Sequence, residues 1–137
     1  MSCAVLTPAL SVAGATTLRA SFKLGAAVAG LAIYANADAG AAVASGSVSI
    51  SASGPQTITV SSFTLFGNTA YRVCWCSKSG DNILAATNFN GPTYAKMANV
   101  YETVIGTAAN SCTNGVPPST TGALTPQLIN IAVIGVE

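Results

Sequence analysis

Histidine is absent from this sequence, and charge is scarce: five basic and four acidic side chains leave a net of +1. Acid–base catalysis near neutral pH draws on histidine, or on carboxylates close enough to perturb one another. Here the acids are Asp38, Asp81, Glu102 and Glu137, spread along the chain, and the bases are Arg19, Lys23, Arg72, Lys78 and Lys96. The pattern predicts a protein that is not an enzyme. A net charge of +1 supplies no basic field for phosphates, which argues against nucleic acid as a partner. There is no Asp-rich calcium loop, no Gly-rich phosphate loop and no nucleophile elbow, and no cofactor is expected.

Long apolar runs are missing too. The run over residues 24–37 stops at Asp38, short of the roughly 20 residues that a membrane-spanning helix needs, so membrane insertion is not expected. The first fifteen residues are apolar and end in small side chains, as in a secretory leader, but no Lys or Arg precedes Arg19. A leader needs a charged start, so the expectation is a soluble chain that reaches its destination without a cleaved signal.

What remains is a chain of 137 residues, half of them hydrophobic. That length suits one domain burying roughly two thirds of its unfolded surface. Its surface must be built from Ser, Thr, Asn, Gly and Ala, and a net charge near zero leaves little repulsion between copies. The chain is therefore expected to live packed against copies of itself.

Period-two alternation recurs at short intervals, and helix signals are weak. Leu18, Ala20, Phe22 and Leu24 alternate with Arg19, Ser21 and Lys23. Residues 31–34 form a short apolar strand, residues 36–40 read as a turn, and Val48 and Ile50 face inward among serines over residues 44–53. Gly54-Pro55 breaks the chain. Residues 57–65 then slip phase at Ser61-Ser62, the mark of a bulge or a strand end, and Gly67-Asn68 is a turn. Residues 70–77 are the clearest strand, with Tyr71, Val73 and Trp75 on one face and Arg72, Cys74 and Cys76 on the other. The inward set is expected to pack with Phe22, Ile33, Val60 and Ile131.

A short helical turn is allowed only over residues 82–87. Residues 94–105 hold one or two further strands, residues 107–122 a long loop pinned over the surface, and residues 128–136 a final strand. The fold class expected is all-β, an antiparallel β-sandwich of jelly-roll or immunoglobulin-like form with seven to nine short strands. Residues 1–16 are read as an apolar segment available as an assembly arm, and residues 17–137 as the single sandwich domain.

Four cysteines stand at positions 3, 74, 76 and 112. Cys74 and Cys76 share a strand face, so a thiol from the long loop would complete either a zinc-type site or a disulfide, and buried free thiols are the plain alternative. Zinc ribbons use a two-residue spacer, which this pair lacks. The disulfide reading takes Cys112 with Cys74 or Cys76 and leaves Cys3 over, for burial or an intermolecular contact. Exposed aromatics would serve carbohydrate; Tyr71 and Trp75 belong to the core, which leaves Phe89, Tyr94 and Tyr101 as ligand-contact candidates.

The chain resembles a loosely defined family of β-sandwich domains of bacteriophage tail and head fibres and some bacterial surface proteins. The resemblance rests on Gly-Leu-Ala-Ile-Tyr at residues 30–34, Ala-Ser-Gly-Ser-Val at 44–48, Gln-Thr-Ile-Thr-Val at 56–60 and Gly-Asn-Thr-Ala-Tyr-Arg at 67–72. It continues in the run from Gly106 through Gly115-Val-Pro to Gly122-Ala-Leu-Thr. It implies a structural or receptor-contacting module, usually in a homotrimer, on a virion or extracellular surface. Expected partners are copies of itself, and beyond those a host-surface glycan or other virion proteins. The alternative function is a carbohydrate-binding module of a secreted or surface protein.

Overall fold

A computed structural model describes residues 1–22, 27–78, 100–126 and 135–136. Among these residues every regular element is a strand: β1 (Ser2–Pro8), β2 (Val12–Phe22), β3 (Val28–Ala35), β4 (Ala42–Ser49), β5 (Gly54–Leu65), β6 (Tyr71–Ser77), β7 (Val100–Ala108), β8 (Leu124–Pro126) and β9 (Gly135–Val136). Seven of the nine are seven residues or longer. They form a six-stranded sheet in the order β4-β3-β6-β1-β7-β8 and a three-stranded sheet in the order β5-β2-β9. Every pairing is antiparallel. The two sheets pack face to face, so the fold is an antiparallel β-sandwich.

Alternation along each strand decides which side chains meet between the sheets. From the six-stranded sheet come Ala4, Leu31, Ile33, Tyr71, Val73 and Trp75; from the other come Val12, Leu18, Phe22, Ile58, Phe63, Leu65 and Val136. The expected inward set of Tyr71, Val73 and Trp75 with Phe22 and Ile33 is found there, with Val60 packed at its margin. Ile131 lies outside the described residues, as does the helical turn expected over 82–87.

The phase slip at Ser61-Ser62 has a structural cause. Ala15 pairs with Phe63 and Thr17 with Thr59, so two steps along β2 match four along β5. The surplus bulges out, and both Ile58 and Phe63 still face the core. The turns expected at residues 36–40 and at Gly67-Asn68 are present, and Asn68 takes the left-handed backbone (φ 58°) that Asn tolerates. The break expected at Gly54-Pro55 comes slightly earlier, over residues 51–53, and β5 opens on Gly54 itself.

The division at residue 16 is corrected. Residues 1–16 are not an arm: β1 lies inside the six-stranded sheet between β6 and β7, and Ala4, Val12 and Ala15 belong to the same core as the rest. Flanked on both sides and buried on both faces over Cys3, Ala4 and Val5, the strand has no alternating pattern to show there.

Candidate functional site

The outer face of the six-stranded sheet, opposite the main core, carries the molecule's most specific chemistry. On β6 the second set of alternating residues, Arg72, Cys74 and Cys76, points there. Register sets Cys3 of β1 directly opposite Cys74, and the two are bonded, with their Cα atoms 4.0 Å apart. Cys76 is bonded to Cys112 across a sequence separation of 36, Cα atoms 6.4 Å apart. Of the two partners open to Cys112, the structure selects Cys76. Cys3 is not left over, because the strand that carries it is the neighbour of β6. All four thiols are thereby occupied, and no group of three or more His, Cys, Asp or Glu side chains is arranged for a metal among the described residues.

Cys112 belongs to the long loop between β7 and β8, residues 109–123, which lies as a strap over this face. A tight hairpin at Asn114-Gly115 turns its leading part, both residues with positive φ (51° and 81°) and with Thr113 and Val116 exchanging backbone hydrogen bonds. Gly115 and Pro117 sit so close on β3 that a Cβ at Gly30 would run into the Gly115 carbonyl and the Pro117 ring. Further along, the Tyr34 hydroxyl donates to the Pro118 carbonyl (2.7 Å), and the Ala42 N–H donates to the Ser119 carbonyl (3.0 Å). Asn110 folds the strap on itself, its side-chain amide donating to the Thr120 carbonyl and hydroxyl. Beneath lies a second small core of Cys3, Ala32, Tyr34, Cys74 and Ala108.

Arg72 fastens the far end of the strap. Its side chain is buried, and its guanidinium donates to the Gly122 carbonyl (2.7 Å), the Thr121 hydroxyl (3.3 Å), the Asn36 side-chain oxygen (3.2 Å) and the Asp38 carboxylate (2.9 Å). Thr121 in turn donates to the Ala37 carbonyl (3.1 Å). One guanidinium thus ties β6, the β3–β4 turn and the strap, each of its three nitrogens finding an acceptor. The carboxylate of Asp38 is largely in water, so the carbonyl and hydroxyl bonds, rather than the ion pair, make the joint specific.

Burial pushes the Tyr34 phenol up from 10.0 to about 12. The folded protein therefore favours the neutral phenol. Stability from this group is complete below pH 10 and is lost as pH climbs towards 12. In urea unfolding, Tyr34→Phe is expected to cost about 1–2 kcal/mol at pH 7, because the Pro118 carbonyl loses its donor. At pH 11.5 the wild type gives up roughly 2 kcal/mol through this group, which the variant does not. The gap between the two proteins should therefore close or reverse. A gap that stays constant from pH 7 to 11.5 would show that Tyr34 is not buried against the strap.

Of the ligand-contact candidates, Phe89 and Tyr94 lie outside the described residues, and Tyr101 is in β7, within the strand region expected over residues 94–105, paired with Thr7 of β1. Phe66 is an exposed aromatic, 62% exposed, alongside Leu10 at 66%. Both sit at one end of the sandwich on interlocked loops. There the Gly67 N–H donates to the Ser11 hydroxyl (2.9 Å), the Phe66 N–H to the Tyr71 hydroxyl (2.9 Å) and the Asn68 N–H to the Pro8 carbonyl (2.6 Å). Gly67 is pressed against the backbone of residues 9–11. No sequence signal marked Phe66, which reads as one more apolar residue at a strand end. No family model, curated protein or solved structure matches this chain, so its functional reading rests on its own residues.

Proposed function

We propose that this chain is a non-enzymatic structural or attachment subunit of a virus particle or extracellular filament, acting through self-association. The observation that carries the reading is the doubly bonded outer face. A domain of this size with a full hydrophobic core rarely needs two disulfides for folding alone; they suit a part that must keep its shape in an oxidising surrounding outside the cell. The nine formal charges leave little electrostatic defence against neighbouring copies, as a subunit built to pack requires. Electron microscopy of the oxidised chain at high concentration is expected to show regular oligomers or filaments; a field of dispersed single domains would oppose the reading.

A second reading, a carbohydrate-binding module, draws on Phe66. An exposed ring on a hydrogen-bonded loop beside Asn68 offers a stacking face and an amide. A glycan array separates the two: selective binding abolished by Phe66→Ala would favour the module, and an empty array leaves assembly as the function.

A further inference from the structure

Along β4 the direction of each backbone group follows from one hydrogen bond. The Ile50 N–H donates to the Ala27 carbonyl (2.8 Å), and in an antiparallel pair the bonded side alternates residue by residue. Val48, Gly46 and Ala44, opposite Ala29, Leu31 and Ile33, therefore turn their backbone groups to β3. Ser45, Ser47 and Ser49 turn theirs outward, where, among the described residues, β4 is the outermost strand of the sheet, and their side chains are exposed.

The upstream part of this edge already accepts an added segment of chain. Ala41 bridges Thr120, the Ala42 N–H donates to the Ser119 carbonyl (3.0 Å), and the Thr121 N–H donates to the Gly40 carbonyl (3.3 Å). Among the described residues that cover ends at Ala42. Exposed edges are normally guarded by Lys, Pro or an inward charge, yet β4 has no Pro and no charged residue lies between Asp38 and Arg72. The strand is also held firmly from below. A Cβ at Gly46 would lie 2.5 Å from Ile58 Cγ2 and 3.2 Å from Val60 Cγ1 of β5, so the edge is presented in fixed shape.

We propose that this edge is the self-association surface: β4 of one copy pairs antiparallel with β4 of a second, joining two six-stranded sheets across a two-fold axis. The proposal rests on the assembly reading above and names its contact. The occupant is a second copy because self-pairing sets short, uncharged side chains against one another with no like charges opposed. A foreign strand would find here no charge or pocket by which to be selected.

The test uses the full, oxidised chain. Ser47→Pro removes one outward N–H and leaves the bonds to β3 intact, as Pro does at a free edge, while Ser47→Lys keeps the N–H and places like charges near each other across the axis. Sedimentation velocity is expected to show the wild type as an oligomer and both variants shifted to the monomer, with association weakened by more than about tenfold. Hydrogen exchange should show the Ser45, Ser47 and Ser49 amides protected in the assembled wild type and released on dilution. If Ser47→Pro fails to fold, Ser47→Lys and the exchange rates decide. Oligomers of unchanged strength in the variants, with these amides unprotected, would overturn the β4 contact and leave self-association standing. A wild type that stays monomeric would remove both.

Discussion

Replacing both members of the Cys3–Cys74 pair by alanine is expected to lower stability by roughly 4 kcal/mol in urea unfolding. The bond closes a loop with a sequence separation of 71, and the entropy it removes from the unfolded chain grows with the logarithm of that length. Its partners are already neighbours in register and fully buried, so the alanines leave the sheet pairing in place and act mainly on the unfolded state. The same model gives roughly 3–4 kcal/mol for the shorter Cys76–Cys112 loop. A double variant within about 1 kcal/mol of wild type would mean that the reduced chain already holds β1 against β6 without the bond.

Trp75→Ala is expected to cost about 3–5 kcal/mol, the range for deleting a large aromatic from a packed core. Trp75 stands in the middle of the six-stranded sheet, opposite Leu31 on one side and Ser2 on the other, and its ring belongs to the intersheet cluster. No adjacent side chain is free to collapse into the space, because the facing residues come from two sheets fixed by their own ladders. Thermal and urea unfolding check this value. A near-neutral effect would place the indole in solvent and restore it to the candidates for sugar stacking.

Much of the sandwich was legible because alternation is a local signal. Leu18, Ala20 and Phe22, or Tyr71, Val73 and Trp75, declare a buried face within a few residues. The slip at Ser61-Ser62 marked a bulge or a strand end for the same reason, and the register shows the bulge. The strand at Ser2–Pro8 was hidden because both its faces are covered, leaving a plain apolar run that resembles an arm as much as a strand. The partner of Cys3 was hidden with it: once β1 is set beside β6, Cys74 follows from register alone. Cys112 was legible as far as the pair Cys74/Cys76, since both share a face, but the choice between them depends on how the strap crosses the sheet.

The fastening of that strap by Arg72 was not legible. Arg72 reads locally as the solvent side of an alternating strand; that it is buried follows only when Gly122, Thr121 and Asn36 arrive from distant parts of the chain. Gly30 likewise carries no local mark, and its role appears only with Gly115 and Pro117 above it. Outward-facing residues are the weak point of sequence reading whenever a long loop returns to cover them.

Self-association is open to sedimentation equilibrium of the intact, oxidised chain from about 1 to 100 µM, a range that spans micromolar dissociation constants. The mass is expected to rise with concentration to at least two copies of the 13.5 kDa chain. A single species of 13.5 kDa across the whole range, with both disulfides formed, would contradict it.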